Sequence, residues 1–148
     1  MNAIVCTKYG SPDVLRLKEV ETPTPRHNEV RIKILATAVT ASDCIVRGFN
    51  LPLWHPKGLM MGLVMGFSKP RNPILGMVLA GEVESAGKDV QRFKKGDQVF
   101  ASTVKSPIQM RFGTYAEYIC LPEDWMVALK PSNVTYEEAA AIPYGGML

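Results

Sequence analysis

The chain has 148 residues, 47% of them hydrophobic and 21% charged, which suits one globular domain with a real core and excludes a disordered one. Its net charge of +3 is small and scattered, so nucleic acid is not an expected partner. The longest apolar run, residues 59–67, falls far short of the roughly 20 residues that span a bilayer. No basic stretch leading into an apolar one marks a secretory signal, so a cytoplasmic, membrane-free protein is expected.

The N-terminal stretch reads as a hairpin. Met1 to Val5 alternates weakly, Tyr9-Gly10-Ser11-Pro12-Asp13 is a turn, and Val14 to Val20 alternates cleanly. Pro23 and Pro25 mark residues 21–28 as an exposed connection. Val30, Ile32 and Ile34 then alternate with Arg31, Lys33 and Leu35, the pattern of a half-buried strand. In Thr40 to Gly48, Ser42 or Asp43 is placed to cap a short helix, with Asp43 and Arg47 one turn apart as a candidate ion pair.

Residues 49–71 hold three prolines, three glycines and a methionine-rich centre. They read either as a long loop forming a lip over a substrate pocket, or as a short buried helix or a disordered segment. Pro73 to Phe100 follows as strand, turn and strand, with turns at Ala86-Gly87-Lys88-Asp89 and Lys94-Lys95-Gly96-Asp97. Gly76 and Gly81 within its first half predict a bend or a close approach. Phe112 to Ile119 alternates as a further strand, which makes Tyr115 and Tyr118 core or barrel-surface residues. Leu121 to Asp124 reads as a turn, and Met126 to Leu129 as a short strand. Thr135 with Glu138 forms a capping box, opening a helix that Pro143 and Gly145-Gly146 should stop.

Cys6, Cys44 and Cys120 are too few and too far apart for a disulfide framework or a zinc knuckle, and are expected to be reduced, mostly packed thiols. His27 and His55 read as surface or loop residues.

Gly76, Gly81, Val83 and Gly87, then Gly96-Asp97-Gln98-Val99, form a pattern that resembles the signature of the medium-chain dehydrogenase/reductase superfamily. Gly113 to Tyr118 (GTYAEY) and Glu137 to Pro143 (EEAAAIP) are similar to two further elements of that family. The resemblance implies a mainly β fold with short helices, a distorted GroES-like barrel over residues 1–131. Residues 132–148 would begin the crossing to a Rossmann domain. No G-x-G-x-x-G occurs in the sequence, and Met147-Leu148 ends it in mid-pattern, so a catalytic-domain fragment, inactive alone, is expected over a naturally short protein.

Where the family's zinc enzymes carry metal ligands, the resemblance aligns Thr40, Met77 and Val78, none a useful zinc donor. It therefore implies the zinc-free, quinone oxidoreductase-like branch, with NADPH or NADH as cofactor in the full-length protein, none bound to the fragment, and a homodimer. The same resemblance gives Ser42 the position of a proton-relaying hydroxyl, beside the capping role read above. It gives Thr40 a contact to the nicotinamide ribose. The alternative is a non-enzymatic GroES-like binding module that uses residues 59–67 to hold partners.

Overall fold

A computed structural model describes residues 1–49, 54–106 and 109–146, with only the backbone of Lys57 and Met61. Parts of the expected 49–71 loop and the terminal Met147-Leu148 lie outside the described residues. The architecture is mainly β. Strands β1 (Asn2–Cys6) and β2 (Leu15–Glu19) form an antiparallel hairpin that pairs Asn2 with Glu19 and Cys6 with Leu15, as the alternation predicts. Strands β3 (Glu29–Thr37), β4 (Val78–Ala86), β5 (Gln98–Ser102), β6 (Tyr118–Pro122) and β7 (Met126–Leu129) build a curled antiparallel sheet in the order β6-β3-β4-β5-β7. Register shifts between Arg31 and Ile32 and between Ile34 and Ala36 bend β3 where it crosses β4. Single bridges from Ala3 to Ala116 and from Val5 to Ile74 stitch the hairpin onto the irregular runs beside the sheet.

Alternation decides the layers. Val30 and Ile32 of β3, Leu79 and Val83 of β4, and Val99 of β5 pack with Leu121 and Val127 into the main core. Ala80 and Phe100 point to the other face, where Ala139 and Ala140 of helix α3 (Tyr136–Gly145) pack on them. These small side chains let the helix lie close, and the Tyr136 hydroxyl fastens it by donating to Glu82 Oε1 at 2.7 Å. The Thr135–Glu138 capping box forms as the sequence predicts. Pro143 does not stop the helix, which runs on to Gly145. A proline this near the C-terminus deprives one carbonyl of its partner, and packing against the sheet offsets that loss.

Two expectations shift. The strand expected over 112–119 is observed at Tyr118–Pro122, so the residues read as a turn at 121–122 belong to it. Gly113, at φ 144°, turns the preceding chain out of the ladder. Instead of a loop, residues 56–65 form helix α2 (Pro56–Met65). It is not the buried helix of the alternative reading either, for Leu59, Met60, Leu63 and Val64 are exposed.

Candidate active site

Helix α1 (Ala41–Gly48) opens one wall of a cleft. Its N-cap is Thr40, not Ser42 or Asp43. The Thr40 hydroxyl accepts from Asp43 N at 3.3 Å, while Asp43 Oδ2 accepts from Thr40 N at 2.8 Å and from Thr40 Oγ1 at 2.7 Å. Because this reciprocal cap holds Asp43, the expected Asp43–Arg47 pair does not form. Arg47 Nη1 instead donates to the Gly10 carbonyl at 2.6 Å. Relieved of capping, Ser42 turns its hydroxyl toward the cleft, 3.5 Å from Tyr144 Oη of α3.

The cleft holds about 350 Å³. Ile45, Val46 and Ser42 come from α1, Met65 from α2, and Tyr144 from α3. Met77 and Val78 form the floor where β4 begins, and Ser102, Val104, Met110 and Phe112 close the far side. The lining is thus apolar and rich in thioethers, with three hydroxyls as its polar groups. The floor is pinned by its backbone. Thr37 Oγ1 donates to Val78 O at 2.6 Å, and Thr103 donates to Met77 O through N at 2.8 Å and Oγ1 at 3.2 Å. The bend predicted at Gly76 is present at φ 95°. A side chain there would collide with Thr114 and Tyr115, which close over it.

Of the two predicted site residues, Ser42 lines the cleft and Thr40 does not. Thr40 is 6% exposed behind the first turn of α1. Tyr144 and Ser102, which join Ser42 in lining the cleft, were not singled out in the sequence, because they lie 102 and 60 residues from it and leave no local pattern. Met77 and Val78 do stand in the cleft, as a site position would require. Cys44, expected to be packed, is exposed, whereas Cys6 is buried. Burial also pushes the Cys120 thiol up to about 11. His27 stays at the surface, 4.0 Å from Asp89. Among the described residues, no three His, Cys, Asp or Glu side chains cluster as a metal site would need. A second groove, of about 530 Å³, runs past Arg111 and Glu29. Those two side chains are paired with each other at 2.8 Å.

A curled antiparallel sheet flanked by a hairpin, with a cleft between α1 and the start of β4, defines a GroES-like domain. The chain belongs to the alcohol dehydrogenase GroES-like domain family, whose sequence profile matches residues 26–131. It is 34% identical over 146 residues to tomato (Solanum lycopersicum) 2-methylene-furan-3-one reductase, covering 97% of this chain and 34% of that protein. With pig (Sus scrofa) quinone oxidoreductase it shares 35% identity over 147 residues, 97% of this chain and 38% of the relative. Among solved structures, the quinone oxidoreductase of Coxiella burnetii superposes with a TM-score of 0.78 at 28% identity, over 99% of this chain and 42% of that one. The Escherichia coli quinone oxidoreductase complexed with NADPH gives 0.71 at 25% identity, over 95% of this chain and 36% of that one. The chain therefore spans between a third and two fifths of the length of the two curated relatives. Among the described residues, no helix is long and apolar enough to cross a membrane.

Proposed function

We propose that this chain forms the substrate-holding half of a zinc-independent, nicotinamide-dependent oxidoreductase that reduces quinones or alkenes conjugated to a carbonyl. The observation that carries the reading is the cleft: a thioether and hydrocarbon enclosure whose Ser42 and Tyr144 hydroxyls stand 3.5 Å apart. The names of the tomato and pig relatives support it.

The donor set argues for the substrate class. A thioether and an isopropyl group at Met77 and Val78 offer no hard ligand, so no Lewis acid is held against a carbonyl there. Developing oxyanion charge must then be met by hydroxyl donors, which suffices best where conjugation already spreads that charge. The flat, apolar body of such a molecule suits Met77, Phe112 and Met110, and burying it expels water from the cleft. Ser42 donates to the substrate oxygen, and Tyr144 stands where it can return a proton to Ser42. A reduced nicotinamide, NADPH in the reading we favour, supplies the hydride when bound. Thr40 is the residue of this chain assigned to its ribose. The Thr40 proton already goes to Asp43 and one lone pair takes Asp43 N, so it would act there through its remaining lone pair, as an acceptor.

The glycine fingerprint that cradles a dinucleotide is not among these residues, so a nucleotide-binding domain is the required companion. We read the whole protein as a cytosolic homodimer; three unpaired thiols among the described residues support a reducing compartment.

The test uses the purified full-length protein with NADPH and 1,4-naphthoquinone, followed at 340 nm, with zinc measured by mass spectrometry. Turnover without bound zinc is expected, and Ser42→Ala should lower kcat by about 100-fold. Stoichiometric zinc with oxidation of a simple alcohol would overturn the reading.

A further inference from the structure

Behind the cleft lies a buried acid and phenol that the proposed chemistry leaves unused. Asp43 is 3% exposed, and both hydrogen bonds it accepts from Thr40 go to Oδ2. Oδ1 is shielded from water and lacks a well-formed hydrogen bond, and so does Tyr115 Oη. The Asp43 carboxylate lies close enough to the phenol for its charge to act on it. Burial, and after it the adjacent Asp43 carboxylate, drives the phenol well above its ordinary range.

A shielded donor and acceptor left short of a good bond lower stability. Such local costs gather where a fold holds a functional group in place. The placement here says which group. Asp43 follows Ser42 directly on α1, and Tyr115 lies over Gly76, the residue before Met77. The pair therefore bridges the two walls of the cleft. On its other side the same run is fastened by Thr114 Oγ1, 3.0 Å from Thr37 Oγ1, the hydroxyl that donates to Val78 O.

We propose that Tyr115, acting through Asp43, is a positioning residue that sets the first turn of α1 against the Gly76–Val78 wall and so fixes where the Ser42 hydroxyl stands. The inference rests on the reading of the cleft as a carbonyl pocket. Removing Oη alone should loosen the placement, because it takes away the group that faces the Asp43 carboxylate, and should cost the core little, because the ring stays packed over Gly76.

The experiment is a double-mutant cycle in binding. α-Tetralone, an apolar aryl ketone, is titrated calorimetrically into the purified full-length protein without nucleotide, where no hydride is available. Four forms are compared: wild type, Ser42→Ala, Tyr115→Phe and the double variant. Ser42→Ala and Tyr115→Phe should each weaken binding roughly tenfold, and the double variant should bind no more weakly than Ser42→Ala alone. The Tm of Tyr115→Phe should equal or exceed that of wild type. Wild-type affinity in Tyr115→Phe, losses that multiply in the double variant, or a large fall in its Tm would each overturn the inference while leaving the pocket reading intact. A wild-type protein that binds no ketone would overturn the pocket reading, and this inference with it.

Discussion

The sheet and the cleft wall of this domain are held together in different ways. In the sheet, Ile32, Leu79, Val83 and Val99 are almost wholly enclosed, and neighbouring strands run in continuous register over most of β4 and β5. The cleft wall is two short helices and the irregular runs 103–106 and 109–117, tied by single hydroxyls such as Thr37 and Thr103 and by the Thr40–Asp43 cap. Stability in the first region comes from apolar area, which scales with side-chain size. Order in the second comes from a few directional bonds, each worth about 1 kcal/mol net. Substitutions should therefore separate the two, with large losses of folding free energy in the sheet and small ones in the wall.

The largest effect is expected at Leu79. It is fully buried in the main core on the central strand, so Leu79→Ala removes contacts on every side and leaves a cavity. A loss of about 3 kcal/mol is expected, seen as a lower urea midpoint with an unchanged slope. A loss below about 1 kcal/mol would mean that the sheet is not where the stability resides.

The same contrast explains what could be read from the sequence. Strand β7 and the α3 capping box were legible because each is a local pattern, alternation in one and T-x-x-E in the other. The family signature at Gly76, Gly81 and Gly96-Asp97 is also local, and it carried the fold. Helix α2 was legible only as one of several readings, and its exposure not at all. PKGLMMGLVM is apolar all round and carries two glycines, so it has no polar face from which to read a 3.6-residue period. The N-cap at Thr40 escaped because Asp43, itself a good capping residue, serves here as the third residue of the box. The Ser42–Tyr144 and Asp43–Tyr115 neighbours are products of tertiary folding alone, separated by 102 and 72 residues.

A smaller effect is expected at the seam between the regions. Glu29 begins β3, and its carboxylate accepts from Arg111 Nη1 at 2.8 Å and from Arg26 N at 3.0 Å. Burial works to raise its pKa, but the Arg111 bond, the Arg26 amide and both positive charges outweigh it, and the net shift is downward from 4.5. A depressed carboxylate stabilises the fold fully above its unfolded value and ceases to do so as pH falls through the folded one. Glu29→Gln should therefore lower stability by about 1–2 kcal/mol at pH 7. The gap to wild type should narrow as pH is taken well below 4.5, which urea midpoints at the two pH values will measure. An equal gap at both would show that Glu29 acts through shape and not charge.

The smallest effect is expected on α2, and it bears most directly on the contrast. Leu63 is 55% exposed, so Leu63→Ser returns little apolar area to water on unfolding. Folding free energy should change by less than about 0.5 kcal/mol, against several for Leu79, a side chain of the same size. The two leucines thus differ only in what surrounds them, and the ratio of their losses measures how far the helix beside the cleft is independent of the sheet. If Leu63→Ser instead cost as much as Leu79→Ala, the apolar face of α2 would be covered in the protein as purified. The exposed side chains Leu59, Met60 and Val64 would then belong to an interface, and a concentration-dependent Tm would follow.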